Sequence, residues 1–310
     1  MEDRQLQVLL EQAEVQRRLG NHRTAIELVQ RALAIDPDHA RAHAALAFSL
    51  LGARRLPGAG LEARIALSLD GGDDYIHYVA GAVMMAERKL EDAWSHVLVA
   101  LEADTTSPEA YVLGATIQVL RGQQAKAREL LAEALEQNAT HCGALTELAR
   151  LELHAGHRAA AAEHIALALK ADPVDRDAHI VAGYIELAAG NDRTAEDHAR
   201  FVLNQDATDE AGLKLFTAVK AKRSLVLGLW WRWNMWISMR DERRQIGLLI
   251  GTFVLMRMLI IVTDELGYEM VSKALSYGWL GFCAYTWFAP EMFKRWLKQE
   301  LGSVKLDPDF

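Results

Sequence analysis

The chain has 310 residues, a formal net charge of −8, 11 histidines and two cysteines. Acidic character argues against nucleic-acid binding, which depends on neutralising phosphates with clustered Lys and Arg. Two cysteines, Cys142 and Cys283, exclude a disulfide framework and a cysteine zinc site, and they are compatible with a reducing compartment. The acidic start of the sequence predicts that no signal peptide is present.

Residues 6 to 209 follow a strict 34-residue period without an insertion. A helical hairpin cannot bury its apolar face alone, and small residues at fixed positions let neighbouring helices approach closely. The period therefore predicts a stack of helical hairpins. One column of the period contains only alanine, and another contains only leucine. These columns are Ala25, Ala59, Ala93, Ala127, Ala161 and Ala195, and Leu33, Leu67, Leu101, Leu135, Leu169 and Leu203.

Each period is predicted to contain two helices separated by a short turn. Glycine at the turn can take the left-handed conformation that ends a helix. Asp-Pro pairs at 36–37 and 172–173 mark breaks between units, because proline cannot continue a helix interior. A final helix is predicted to begin after Asp209, a good N-cap, and to run toward Lys222. The turn column reads Gly20, Arg54, Arg88, Gly122, Gly156 and Gly190.

These features make residues 6–209 resemble the tetratricopeptide repeat (TPR) family, whose unit is a 34-residue helix-turn-helix. The resemblance implies an all-α, right-handed α-solenoid of about six TPR-like hairpins plus a capping helix over residues 1–222. It is specific for the fold and says little about function, because members of this family bind very different partners. Small residues of the first helix also fit the family: Ala13, Ala47, Gly81, Ala115, Ala149 and Gly183.

The composition changes at residue 223, where the 34-residue period ends. Residues 1–222 contain 23 Lys and Arg against 33 Asp and Glu, whereas 223–310 contain 11 against 9. Seven of the eight tryptophans also lie after residue 223. We therefore predict a separate, membrane-associated helical region over 223–310.

Three apolar segments follow one another in this region. Residues 225–239 combine tryptophans with polar groups, which suits an interfacial helix in the headgroup layer. Residues 246–263 contain one charge, Arg257, and are long enough to span a hydrocarbon core. Residues 270–289 form a second candidate transmembrane helix, so a two-helix transmembrane hairpin is predicted. The predicted interface residues are Trp230, Trp231, Trp233 and Trp236.

Flanking charges predict the orientation of this hairpin. Basic residues lie before the first span and after the second, while the connection is mostly acidic. The positive-inside rule then places both ends, and the repeats, in the cytoplasm. High Ala content and an excess of Arg over Lys are compatible with a bacterium, so the inner membrane is the predicted location. The alternative is a soluble helical domain with a buried core.

The resemblance also implies that the first helix of each hairpin lines a concave groove. Its predicted surface is more aromatic and aliphatic than polar, which suits an amphipathic helix or an extended apolar peptide. Two alternatives remain: the chain's own Trp-rich segment or C-terminal tail occupies the groove, or these residues pack between hairpins. The predicted groove residues are Arg41, Phe48, Tyr75, Tyr78, Met85, Val112, Val119, Arg150, Tyr184 and Leu187.

No motif predicts catalysis. The histidines His154, His157 and His164 invite a metal hypothesis, but the turn glycine interrupts the helical face that would align the first two. No nucleophile elbow or phosphate-binding loop is present. The sequence therefore predicts neither an enzyme nor a bound cofactor or metal.

The predicted function is a membrane-anchored TPR scaffold or adaptor, whose partners are a protein or peptide ligand and the lipid bilayer but not nucleic acid. Tethering would raise the effective concentration of a captured partner at the membrane. One alternative is an accessory subunit of a transport or secretion assembly in which the intramembrane charge of Arg257 is functional. A structural homo-oligomer is the other alternative.

Overall fold

The computed structural model describes residues 2–223 and 256–280, and each regular element in these residues is an α-helix. The chain divides into two compact units, Met1–Val181 and Ala182–Phe310, and the division falls inside helix α11. The helices of the repeats are α1 Glu2–Arg18, α2 His22–Ile35, α3 Ala40–Gly52, α4 Leu56–Leu69, α5 Asp74–Ala86, α6 Leu90–Ala103, α7 Pro108–Leu120, α8 Gln124–Gln137, α9 Cys142–His154, α10 Arg158–Ala171, α11 Arg176–Ala189, α12 Asp192–Gln205 and α13 Glu210–Arg223.

The N-terminal unit is built from consecutive helical hairpins. Helices α1 and α2 form the first hairpin, and the pairs α3/α4, α5/α6, α7/α8 and α9/α10 follow. In the first four hairpins, the second helix contacts the first helix of the next hairpin. First helices also contact each other along the series α1, α3, α5, α7 and α9. The all-α solenoid of TPR-like hairpins is therefore observed.

The alanine column lies at the centre of this packing. All six of its members, from Ala25 to Ala195, are completely buried. A parallel column of Ala32, Ala66, Ala100, Ala134, Ala168 and Val202 is also buried, with no member more than 2% exposed. Small side chains at these places allow the two helices of a hairpin to lie close together. The leucine column is less deeply buried, and of its members only Leu203 belongs to the fully buried core.

The turn within each hairpin uses the left-handed backbone conformation whether or not glycine is present. Gly20, Gly122, Gly156 and Gly190 have φ between 77° and 94°, while Arg54 and Arg88 have φ of 59° and 65°. In each turn the following amide donates back to a carbonyl five residues earlier, as when Gln123 N donates to Gln118 O at 2.8 Å. The prediction that the two arginines replace the turn glycines is confirmed.

Side chains at the junctions between hairpins repeat with the same period. An Asp or Asn ends each second helix, and its Oδ1 accepts the amide two residues later, as Asp104 does from Thr106 at 2.8 Å. The residue before each following first helix caps that helix; Asp73, for example, accepts from Ile76 N at 3.1 Å. The remaining N-caps are His39, Ser107, His141, Asp175 and Asp209.

Helix α13 begins and ends where the capping helix of the repeats was predicted. Its Leu215, Phe216 and Val219 are completely buried. Two ion pairs join it to α12: Lys220 lies 3.0 Å from Glu196, and Lys222 lies 2.8 Å from Asp192. The open apolar face of the last hairpin is therefore covered within this unit.

Two further helices, α14 over 256–265 and α15 over 269–280, form a hairpin in the C-terminal unit. Gly267 supplies the left-handed residue of the turn with φ of 81°, and the Ser272 hydroxyl donates to the Ile260 carbonyl at 3.4 Å. Arg257 is exposed on α14. Within residues 2–223 and 256–280, no helix is both long and apolar enough to cross a bilayer. The predicted interfacial helix 225–239, with its tryptophans, and parts of both predicted spans lie outside the described residues.

Candidate binding groove

Three of the predicted groove residues form an aromatic cluster between α3 and α5. The rings of Phe48 and Tyr78 meet edge to face with centroids 5.5 Å apart, and Tyr75 lies 6.4 Å from Tyr78. All three rings are partly buried against the hairpin core. Burial raises the pKa of Tyr78 to about 12 and that of Tyr75 also well above its ordinary value, so both hydroxyls stay protonated at neutral pH.

The aromatic cluster borders two adjoining cavities, which together we call the groove. The smaller cavity has a volume of about 260 Å³ and extends from α1 to the start of α7. The larger, of about 600 Å³, lies between α1, α3 and α5. Glu14, Arg18 and Tyr75 line both cavities. Further lining residues are Arg17, Phe48, Asp74, Tyr78, Ser107 and Glu109 in the smaller cavity and Gln7, Leu10, Glu11, Val15, His39, Arg41 and Ala45 in the larger.

A charged network from α1 borders the aromatic rings. Glu14 accepts from Arg17 at 2.6 Å and from Arg18 at 2.8 Å. Burial disfavours ionisation of Glu14, but these hydrogen bonds outweigh it and lower the pKa of the carboxyl. The guanidinium of Arg17 also stacks over Phe48, 4.1 Å from the ring centroid. Arg17 is thus held by a carboxylate and an aromatic face together.

Two further charged groups stand at the rim. Arg41 is exposed, and its guanidinium lies 2.5 Å from Asp73 and 3.3 Å from Asp74. Glu109, at the first turn of α7, has a ring nitrogen of His141 at 3.8 Å. This neighbouring ring holds the pKa of Glu109 below its ordinary value, so the carboxyl is ionised at neutral pH.

The other predicted groove residues do not line the two cavities. Met85 packs against the core of the third hairpin, and Val112 and Val119 pack against that of the fourth. Arg150 lies 3.4 Å from Glu147, whose pKa is raised by burial. Tyr184 and Leu187 are partly buried in the C-terminal unit. Their contact with a ligand remains a prediction.

Apart from Arg41, the sequence-based prediction omitted the charged members of this site. The period could have found them, because Glu14 stands one period before Phe48 and Glu109 one period after Tyr75. Arg17 stands two periods before Met85 in the same way. These residues belong to columns of the period that also contain predicted groove residues.

Several histidines of the repeats make hydrogen bonds within the fold. His43 and His77 bond through Nε2 to the carbonyls of Pro37 and Gly71, at 2.8 and 3.1 Å. The Nδ1 atom of His77 meets Nδ1 of His96 at 3.0 Å. His157 bonds Glu152 at 2.6 Å. In the part of the chain that the structure describes, no three His, Cys, Asp or Glu side chains are grouped to hold a metal ion.

The described cysteine is not an activated nucleophile. Burial raises the pKa of the Cys142 thiol to about 11, so it is protonated at neutral pH. Reactive cysteines instead have a lowered pKa, since the thiolate is the attacking species.

Comparison with known proteins supports the tetratricopeptide repeat assignment. A family model described as tetratricopeptide repeat matches residues 6–49. No curated protein matches the sequence. Three solved structures are similar. They are pilF of Pseudomonas aeruginosa (19% identity, 71% of this chain and 99% of that one, TM-score 0.50), a TPR protein of Thermus thermophilus (22%, 59% and 99%, 0.54) and the type IV pilus biogenesis factor PilW (20%, 68% and 97%, 0.52). At these identities the similarity concerns the fold.

Proposed function

We propose that this chain is a non-catalytic adaptor that holds a segment of a protein partner in the groove between α1, α3, α5 and α7. The aromatic cluster carries the proposal, because Phe48, Tyr75 and Tyr78 lie side by side at the wall of an open cavity. Aromatic side chains that border a pocket are the usual anchors of protein recognition. Tyrosine adds a hydroxyl that can bond a peptide backbone.

Site-specific crosslinking tests this proposal. A photoreactive residue at Tyr75 should capture a discrete partner, while the same residue at Leu98, exposed on the second helix α6, should not. Adding Tyr78→Ala should reduce capture at Tyr75 at least tenfold, since truncating a central anchor costs about 2 kcal/mol. Tyr111→Ala is the matched control, because it removes the same ring from a partly buried site outside the groove. Equal capture from Tyr75 and Leu98 would contradict the proposal.

We also propose that residues 223–310 attach the adaptor to a bilayer, with the repeats on the cytoplasmic side. The observation in favour is the surface of the α14–α15 hairpin, which leaves large apolar side chains in contact with solvent. Such a surface is removed from water when lipid covers it. The most exposed members are Met258, Leu266, Met270, Tyr277 and Leu280, whose side chains are 63–89% exposed.

Vesicle flotation of the full-length chain tests the attachment. The chain should float with phosphatidylcholine–phosphatidylglycerol vesicles, and Met270→Asp with Leu280→Asp should reduce the floated fraction severalfold. Leu61→Asp with Leu98→Asp, two exposed leucines of the N-terminal unit, is the matched control. Recovery of the wild-type chain in the soluble fraction without detergent would refute the attachment.

The variant Arg257→Leu distinguishes two roles for residues 223–310: a simple membrane anchor and a functional part of a transport assembly. If 223–310 only anchors the chain, Arg257→Leu should leave both vesicle binding and crosslinking at Tyr75 unchanged. Loss of activity in the cell with both properties intact would favour the accessory-subunit alternative.

A further inference from the structure

Each positive charge that lines the groove already has a carboxylate partner within the chain. Arg17 and Arg18 both pair with Glu14, and the guanidinium of Arg41 pairs with Asp73 and Asp74. An acidic ligand would therefore have to compete with these internal carboxylates for each guanidinium.

Two carboxylates of the groove lack such a partner. Glu11, on the wall of the larger cavity, is contacted by the Gln7 amide at 3.3 Å. Glu109, on the wall of the smaller cavity, has the His141 ring at 3.8 Å and a weaker, longer-range attraction to Arg18, and its side chain is 52% exposed. Among residues 2–223 and 256–280, no Lys or Arg lies within ion-pair distance of either carboxylate. The groove and the carboxylates paired with its arginines hold three basic side chains and five acidic ones, so the net charge there is negative. The basic side chains are Arg17, Arg18 and Arg41, and the acidic ones are Glu11, Glu14, Asp73, Asp74 and Glu109.

The aromatic cluster itself accommodates a cation. Arg17 places its guanidinium on the Phe48 ring, at a distance typical of a cation–π contact. The neighbouring rings of Tyr75 and Tyr78 offer further aromatic surface of the same kind. The repeat region as a whole carries 33 acidic against 23 basic side chains, so its long-range field also favours a basic partner.

We infer that the partner segment is a basic peptide with an apolar anchor. The anchor enters the cavity beside Tyr75 and Tyr78, and Lys or Arg residues on its two sides pair with Glu11 and Glu109. This inference rests on the proposed function, because it specifies which peptide the groove takes. Electrostatic pairing of this kind acts on specificity and association rate, and salt weakens it.

Three matched peptides test the charge preference. Each has about 15 residues and a central Trp, with Lys and Arg, Gln, or Glu at the flanking positions. Fluorescence anisotropy with the full-length chain in neutral detergent should show the basic peptide binding about tenfold tighter than the Gln peptide. This advantage should shrink as salt rises from about 50 to about 500 mM.

Paired charge variants test the two carboxylates. Glu11→Gln with Glu109→Gln should weaken the basic peptide about tenfold and leave the Gln peptide unchanged. Glu133→Gln with Glu136→Gln makes the same charge change on exposed positions of α8 and should alter neither affinity. Thermal unfolding should be equal for both double variants, which separates lost binding from lost folding.

The outcomes distinguish the inference from the proposed function. Equal or tighter binding of the Glu peptide overturns the basic preference but retains a peptide groove. Equal effects of the two double variants overturn the assignment of Glu11 and Glu109. Failure of all three peptides, together with absent crosslinking at Tyr75, overturns the groove function itself.

Discussion

Large apolar residues are buried in α13 but exposed in the α14–α15 hairpin, although both belong to the C-terminal unit. Phe216 of α13 is completely buried, whereas Met270 of α15 is 89% exposed. The repeats stabilise their packing with buried apolar groups, and many of these are as small as alanine. The hairpin instead presents large apolar groups outward. Hydrophobicity in the sequence therefore indicates a core in one region and a surface in the other.

The largest expected effect tests this contrast directly. Phe216→Ala should lower the free energy of unfolding by about 4 kcal/mol, because it removes a buried ring and leaves a cavity. Met270→Ala should change it by less than about 0.5 kcal/mol, since its side chain is already solvated. Thermal unfolding followed by circular dichroism measures both. Similar losses for the two variants would mean that the hairpin has a core of its own.

A second prediction concerns the alanine column. Ala127→Leu adds volume at a completely buried position beside Leu131 and should destabilise the chain by about 2 kcal/mol. Ala125→Leu on the same helix is exposed and should be close to neutral. Denaturant titration of the pair gives the difference. If Ala127→Leu were neutral, close approach of the helices would not depend on the column.

Two substitutions in the turn column should change the free energy of unfolding by about 1 kcal/mol each, with opposite signs. Gly122→Ala should destabilise by that amount, because its φ of 77° is unfavourable for a side chain although a Cβ there meets no atom within 4 Å. Arg88→Gly should stabilise by a similar amount, since it relieves a left-handed non-glycine residue. Changes of the same sign would contradict this account of the turn.

The smallest effect is the pH dependence of the third hairpin. Burial, together with the neighbouring His77, lowers the pKa of His96 below 6.5, so the folded chain favours the neutral ring. Asp92 opposes this shift without cancelling it. The contribution of the His77–His96 pair to the free energy of unfolding should be largest above pH 6.5. It should decrease as the pH falls through that value. His96→Leu, which copies Leu130 of the next hairpin, should flatten this part of the pH profile of thermal unfolding.

Much of the repeat architecture could be predicted from spacing alone. The period located the turn at Arg54 and Arg88 even though neither is glycine, because position in the repeat decides the backbone conformation. The N-cap preference of Asp209 also indicated where the capping helix would begin, and the Asp209 carboxylate accepts from Gly212 N at 2.6 Å. These features are local, so they depend on residues within a few positions of each other.

The candidate site was predicted only in part. Phe48, Tyr75 and Tyr78 were expected on the groove face, and the structure brings their rings together. The pairing of Glu14 with Arg17 and the stacking of Arg17 on Phe48 were not expected. Such contacts depend on rotamers and on the approach of α1 to α3, which a one-dimensional period does not describe.

By itself, the sequence determined the length of the repeat, the helices and turns within it, and the small residues at its centre, because short-range backbone and packing constraints recur every 34 residues. Only the tertiary structure decided which charges of the groove are neutralised internally and which apolar side chains of 256–280 face outward. Both depend on side chains that are distant along the chain, and burial and pairing arise only when helices have packed.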